Sequence, residues 1–458
     1  MLFNTIDTID ISIYKPILNL ENKKNLGEVQ TSYLIAKELL NMLPSDVFTN
    51  KSLKWCEPGA GQGNISVVLF KKLVENLSPL FSSINECKTH IINNMITLIE
   101  INKTNESRLI QLFGATNVIC KDFLQINSGE KYDIIFGNPP FNTNGHKKVP
   151  TNTFLSKLSD GKTAWCDFVV KSMEMLNENG YMCFIIPCIW MKPDKANIYH
   201  FLTRYNIIRI KCFTNTETNA MFYGQAQTPS VFVVVQKAIN TNNNSQISIF
   251  DKVNDRYVEF MLFKDMPIPN FCPNIISKIY THTQKVGSIT VYKTNMPSKH
   301  TELSDKKAGK YTYINIKTCT LTGNKPTLEY LYSVKPCAYY NTPKIVMAHG
   351  MYGFPYIDRS GKYGIANRDK YIIMDKSYDD MCMLSSFLST KSCLFIFEAT
   401  KYRMKYLEKY IFDYIPDITK IKNFPKNITD ETIADFFGFN ELERKAIQTQ
   451  YKNYDYFH

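Results

Sequence analysis

The stretch Tyr132-Asp133-Ile134-Ile135-Phe136-Gly137-Asn138-Pro139-Pro140-Phe141 decides how the chain is read. Ile134, Ile135 and Phe136 have the composition of a buried strand, and proline cannot donate to a strand ladder, so the strand ends at Gly137. Asn138 then sits at the carboxyl end of a strand, the edge where open α/β sheets bind their ligands. The two prolines stiffen the turn and hold the Asn138 amide, the Pro139 carbonyl and the Phe141 ring in one arrangement. Two acceptors beside a flat apolar face suit a planar molecule carrying an exocyclic NH₂ group. Taken alone, the same residues also read as a proline-rich loop after a strand.

Working upstream, three more strand ends carry acidic residues. Leu53 to Glu57 reads as the first strand, followed by Pro58-Gly59-Ala60-Gly61-Gln62-Gly63-Asn64 and an amphipathic helix from Ile65 to about Leu77. Glycines between strand and helix let the backbone turn tightly and approach a ligand, and Glu57 at the strand end can take a cationic amino group. Met95 to Glu100 is a second strand, ending where an acidic residue can bind both hydroxyls of a ribose. Asn117 to Cys120 is a third, followed by Lys121-Asp122-Phe123. Earlier still, Leu26 to Ser32 leads into the helical pattern Tyr33 to Leu40, with Thr31 or Ser32 as its N-cap. Singly, each acidic residue reads as a solvated loop charge; Glu57, Glu100, Asp122 and Asn138 at four consecutive strand ends are a far more specific signal.

Downstream, Asn142 to Asn152 is polar, basic and unpatterned. It reads either as a mobile loop over a site, able to clamp phosphates, or as a plain surface connection. Trp165 to Leu176 is an amphipathic helix stopped by Asn179-Gly180. It feeds the strand Tyr181 to Ile186, and Ile207 to Phe213 with Ser230 to Val235 complete seven strands, the last two an antiparallel pair. The polar stretch 237–245 marks a boundary, so the expected division is an N-terminal extension 1–25, a first domain 26–240 and a second domain 246–458. In the second, aromatic and basic residues interleave around Lys310 to Tyr313, Lys335 to Tyr340, His349 to Phe354, Arg359 to Tyr363 and Lys401 to Tyr406. Such rows suit a nucleic-acid face, although each one separately reads as sheet aromatics with solvated lysines. A helical pair closes the chain, Thr429 to Phe437 stopped by Gly438, then Glu441 onward.

A chain of 458 residues is too long for one ordinary core, and 44% hydrophobic with 21% charged residues is the balance of a soluble globular protein. The longest apolar run, Tyr181 to Met191, is broken by Pro187 and too short to span a bilayer, and Asp7 and Asp10 interrupt any signal-peptide pattern. Twelve cysteines without CxxC pairing predict a reducing, cytoplasmic compartment with neither a disulfide framework nor a metal site. Cys56, Cys120 and Cys183 read as small buried thiols in strands. A net charge of +12 suits a polyanionic partner, with mere solubility the bland alternative.

In these motifs and their order the chain resembles the γ class of DNA adenine-N6 methyltransferases from restriction-modification systems. Those enzymes use S-adenosylmethionine (AdoMet) and carry an Asn-Pro-Pro-aromatic tetrapeptide; the resemblance covers roughly residues 26 to 236. It implies an α/β fold, a Rossmann-like seven-stranded AdoMet-dependent methyltransferase domain followed by a mixed α+β target-recognition domain. It also implies that Asn138, Pro139, Pro140 and Phe141 form the catalytic turn. Thr31, Glu57, Pro58, Gly59, Gly61, Gly63, Glu100, Asp122, Phe123 and Asn138 would then line the AdoMet site, S-adenosylhomocysteine being the product. Within Asn219 to Gly224, Phe222 would be a second aromatic against an everted base, with Tyr223 the alternative and core packing the other reading. Phe141 departs from the commoner tyrosine, which keeps stacking and loses a hydroxyl contact. Implied partners are double-stranded DNA and a separate restriction endonuclease, with no membrane and no metal. Cytosine-N4 and protein-glutamine methylation share such a turn, and a catalytically idle DNA-binding subunit is the non-enzyme alternative.

Overall fold

The computed structural model describes residues 4–10, 26–143, 162–224, 226–241, 244–322, 325–348, 355–368, 370–402 and 407–450. Two compact units emerge, 1–250 with 261–265 and 251–260 with 266–458.

The first unit is built on one sheet. Its strands are β1 (Trp55–Pro58), β2 (Ile96–Glu100), β3 (Val118–Cys120), β4 (Tyr132–Gly137), β5 (Leu176–Pro187), β6 (Tyr205–Phe213), β7 (Ser230–Ile239), β8 (Asn244–Asp251) and β9 (Arg256–Phe263). They lie in the order β9-β8-β6-β7-β5-β4-β1-β2-β3. The five strands from β3 to β5 are mutually parallel, and β7 runs antiparallel to both β5 and β6. Order 3-2-1-4-5-7-6 with the seventh strand reversed is the sheet of the class I AdoMet-dependent methyltransferases, and the fold is that Rossmann-like one. Central strands read as continuous apolar runs because both faces are covered: Ile134, Ile135 and Phe136 in β4 and Met182 to Ile186 in β5 are all buried. The helices α1 (Tyr33–Leu40), α2 (Asn64–Leu77), α3 (Lys103–Phe113) and α4 (Trp165–Met175) belong to this unit. Ser32 caps α1, its Oγ accepting from Ile35 N at 3.4 Å.

Three expectations change here. The helix α4 stops four residues before Asn179 because Leu176 already pairs with Tyr132 in the sheet; Asn179 (φ 65°) and Gly180 form an irregularity inside β5 instead. Cys120 is exposed, since β3 is the edge strand, whereas Cys56 and Cys183 are buried as expected. Two strands beyond the seventh join the sheet: β8 pairs in parallel with β6 through Ser248↔Arg209 and Ile249↔Ile210. The polar stretch 237–245 is therefore a connection within one sheet, and the division between units falls inside β8 and β9.

The second unit holds two small sheets and a group of helices. A long hairpin, β10 (Tyr313–Thr322) with β11 (Lys325–Ser333), is flanked by Leu303–Ser304 and Gly364–Ile365. Beside it stands a sheet in which β12 (Lys344–Ala348) lies between β13 (Tyr356–Asp358) and β14 (Lys370–Ile373), antiparallel to each. Two of the tyrosines expected on a nucleic-acid face, Tyr363 and Tyr402, are core instead. Tyr363 stacks on Tyr330 with centroids 5.4 Å apart, and the buried Tyr402 donates its hydroxyl to Ile268 O at 2.6 Å. Lys335, Arg359 and Lys362 are exposed, and residues 349–354 and 403–406 lie outside the described residues. Thr429 caps the helix Asp430–Phe436, Gly438 takes φ +67° behind it, and Glu441–Gln450 closes the unit. Among the described residues no single helix is long and apolar enough to cross a membrane.

Candidate active site

Sequence order reverses between β1 and β4, and at such a switch point the loops leaving neighbouring strands part and leave a crevice. The carboxyl ends of β1, β2, β3 and β4 all open on one cavity of about 790 Å³, counted to its open mouth. Glu57, Gly59, Gly61, Glu100, Asp122, Phe123, Asn138 and Thr31 line it. So do Glu28, Gln30, Asn64 and Phe168, which sequence reading did not single out.

The glycine loop is shaped by its own backbone. Gly59 (φ +68°) and Gly61 (φ +55°) adopt left-handed conformations that favour glycine, and no atom lies within 4 Å of where a Gly61 Cβ would stand. Gly59 N and Ala60 N both donate to Ile99 O, at 2.8 and 3.0 Å, which folds the loop back over β2. Gly63 does different work: it is absent from the lining, and a Cβ there would lie 2.7 Å from Leu109 Cδ2. It lets the loop pass against α3, so its expected place against the cofactor is corrected to a packing one. Pro58 also stands back from the cavity lining.

Glu100 is anchored rather than free. Its Oε2 accepts from Gly61 N at 2.6 Å and its Oε1 from Asn102 N at 2.7 Å, which aims the carboxylate along the loop. Burial pushes its pKa up; the hydrogen bonds from Asn102 and Gly61 oppose that, and the charge of Glu28 adds to it. Glu57 is 2% exposed and accepts from the Ser66 hydroxyl. Burial pushes its pKa up to about 8, against the Ser66 hydrogen bond and with Glu100 adding its charge. Asp122 caps the turn after β3 through Leu124 N at 3.0 Å, and Phe123 lies 5.2 Å from the Phe168 ring, both rings on the cavity.

Asn138 follows Gly137 directly, half-buried, and its Nδ2 donates to Thr31 Oγ1 at 3.1 Å. With the amino end committed to Thr31, the amide carbonyl is the end that can accept. Thr31 in turn accepts from Asn64 Nδ2 through its backbone oxygen at 2.9 Å. One threonine thus ties the turn to the start of α2. Pro139 is buried, while Pro140 lines the cavity and Phe141, half-buried, lies outside its lining. A two-residue antiparallel pairing of Asn142–Thr143 with Lys162–Thr163 closes the chain beyond the turn; most of the expected loop, from 144 on, lies outside the described residues. Phe222 is 1% exposed and packed as core, whereas its neighbour Tyr223 is 57% exposed at φ +50°. Phe222 therefore offers no free face to a base in this conformation, and of the pair the accessible ring is Tyr223.

The cavity suits a cationic nucleoside. Asn64 Oδ1 and Glu28 Oε2 are buried acceptors with no hydrogen-bond partner among the described residues. With Glu57 and Glu100 they make an acceptor-rich lining, and the space over Gly61 is open. AdoMet, with its ammonium, sulfonium, ribose hydroxyls and adenine amino group, supplies the donors and positive charge that such a lining lacks.

Comparison with known proteins agrees. Residues 24–219 match the family model described as Eco57I restriction-modification methylase. The chain is 28% identical over 183 residues to the type II methyltransferase M.VspI of Vibrio sp. (strain 343), covering 38% of this chain and 40% of that one. It is 24% identical over 267 residues to the type II methyltransferase M.AccI of Acinetobacter calcoaceticus, covering 54% and 45%. The chain thus spans less than half the length of these relatives. Among solved structures, the type IIL restriction-modification enzyme MmeI in complex with DNA superposes with a TM-score of 0.46 at 14% identity, over 87% of this chain and 69% of that one. Residues 24–219, which hold the cavity's lining, are thus similar to restriction-modification methylases, and the cofactor that fits that lining is AdoMet.

Proposed function

We propose that this chain is a site-specific DNA methyltransferase acting on the N6 amino group of adenine in duplex DNA, on a base everted from the helix. The observation that carries this reading is the Asn138-Pro139-Pro140-Phe141 turn held to the cofactor cavity through Thr31. AdoMet, when bound, supplies an electrophilic methyl group on its sulfonium.

The rest falls to the chain's own residues. An adenine amino nitrogen is a poor nucleophile because its lone pair is delocalised into the ring. The Asn138 carbonyl and the Pro139 carbonyl, both accepting from the NH₂ group, draw it toward tetrahedral geometry and stabilise the positive charge that grows on it. Phe141 supplies a stacking face, and turning the base out of the duplex makes its amino group reachable. Glu100 holds the ribose and Asp122 the adenine amino group of the cofactor, each pre-oriented by the backbone N–H groups it accepts from. The second unit, following the methylase domain in a chain of net charge +12, serves as the target-recognition part. A separate endonuclease partner would complete a restriction-modification pair.

The test is single-turnover transfer of labelled methyl groups to duplex DNA, followed by nucleoside analysis. Label in N6-methyladenine is expected. Asn138→Ala removes an acceptor that acts on the developing charge, so it should slow transfer by about a hundredfold or more, a larger loss than in AdoMet affinity. Label in N4-methylcytosine would change the base and keep the turn chemistry; label only in protein would overturn the DNA assignment.

A further inference from the structure

The cavity carries one charged group that the reaction just described does not use. Glu28 sits on the arm 26–31, which forms one wall of the cavity. Its Oε2 is buried without a hydrogen-bond partner among the described residues, a costly state for a carboxylate oxygen unless a ligand completes it. The arm is held in place by close approach: Gly27 takes φ +71°, and a Cβ there would lie 2.1 Å from Asn142 O and 3.0 Å from Pro140 Cβ. Glu28 is therefore carried by backbone lying directly against the target turn. Glu28 and Glu100 line the same cavity, and to the rise that burial causes in the Glu100 pKa the charge of Glu28 adds. Lys121, the cationic side chain among the lining residues, is exposed. The second unfilled acceptor is Asn64 Oδ1, on a residue 6% exposed whose Nδ2 is already given to Thr31 O.

We propose that Glu28, on an arm clamped to the target turn and facing a cavity that Asn64 also leaves one acceptor short, reads the positive charge that AdoMet carries and S-adenosylhomocysteine has lost. The inference rests on the cavity being the AdoMet site. A carboxylate with one oxygen buried and unpaired gains most from a full positive charge, and much less from a neutral thioether of the same shape. Methyl transfer removes one positive charge from the cofactor. The product then leaves a cavity whose acidic wall no longer holds it as strongly, which favours turnover over product inhibition.

The experiment is calorimetric titration of the full-length chain and of Glu28→Gln with three ligands: AdoMet, S-adenosylhomocysteine, and an analogue bearing a protonated amine in place of the sulfonium. Glutamine keeps the shape and removes the charge. Glu28→Gln should weaken AdoMet and the amine analogue by about tenfold or more, and S-adenosylhomocysteine by less than about threefold. Glu28→Ala should preserve that order, with thermal melting confirming that both variants fold. Equal weakening of all three ligands, or no weakening, would overturn the charge-reading role while leaving the cofactor assignment intact. Failure of the wild-type chain to bind AdoMet at all would overturn the assignment and the inference together.

Discussion

Each unit buries a carboxylate, and the two are treated in opposite ways. Asp358 in the second unit is 2% exposed and meets the Lys344 ammonium at 2.6 Å, while Lys362 N and Tyr363 N donate to it at 3.1 and 3.0 Å. Lys344 is equally complete, donating also to the carbonyls of Tyr339, Thr342 and Tyr363. Burial pulls the Lys344 pKa below its ordinary value, and the neighbouring Asp358 opposes that. Glu57 in the first unit is just as buried, yet its partner is the Ser66 hydroxyl rather than a cation, and it lines an open cavity. A closed network is architecture. An incomplete one, at the carboxyl edge of a parallel sheet, is a place where a ligand's charge belongs.

That contrast is broken first at its stronger end. Asp358→Ala leaves Lys344 buried with no counter-charge, and it should cost about 3–5 kcal/mol of stability by denaturant unfolding of the full chain. Replacing both partners by apolar residues, Lys344→Met with Asp358→Leu, strands no charge and should cost less, although it still destabilises because the backbone groups of Tyr339, Thr342, Lys362 and Tyr363 lose their partners. A small loss in the single variant would mean that the pair is not the closed network described. At the open end the response should appear in binding instead. Glu100→Ala should weaken AdoMet by about 1.5–3 kcal/mol in calorimetric titration, the scale of hydrogen bonds to a charged group. Unchanged affinity would remove Glu100 from the cofactor site.

Sequence reading reached one side of this comparison better than the other. Glu57, Glu100, Asp122 and Asn138 could be placed around one cavity because each follows a short apolar run, and the end of a parallel strand is fixed by local pattern. The cavity's other wall could not be. Glu28 and Asn64 become acceptors lacking partners only once the arm packs on Pro140 and Asn142 and Thr31 takes the Asn64 amide. Phe222 and Tyr223 are adjacent aromatics on one turn, and which of them faces inward is settled by packing rather than by composition. Gly63 looked like its two neighbours in the loop until α3 was seen to lie against it. In the second unit, Tyr330, Tyr356 and Tyr363 pack together beside a buried Lys–Asp pair, a use of tyrosine and lysine that a row of aromatic and basic letters does not distinguish from a nucleic-acid surface.

A pH dependence is the most diagnostic response of the open end. Glu57 has a folded-state pKa of about 8 against an ordinary value of 4.5, so between those values the folded chain keeps a proton that the unfolded chain releases. Its neutral form thus contributes stability that is fully present below about 4.5 and is lost as pH rises toward 8, at about 1.4 kcal/mol per pH unit within that window. Melting curves of the unliganded chain and of Glu57→Gln should therefore diverge with pH. The variant, which cannot ionise, should gain on the wild type from pH 5 to 8 and hold a constant difference above that range. A cationic ligand beside Glu57 favours the carboxylate and pulls its pKa down. AdoMet binding near pH 7 should then release a proton, read as a dependence of the binding heat on the buffer's ionisation heat, and the release should vanish both in Glu57→Gln and well above pH 8. A difference between the two chains that does not change with pH would show that Glu57 keeps its charge when the cavity is open, and the contrast with Asp358 would then rest on geometry alone.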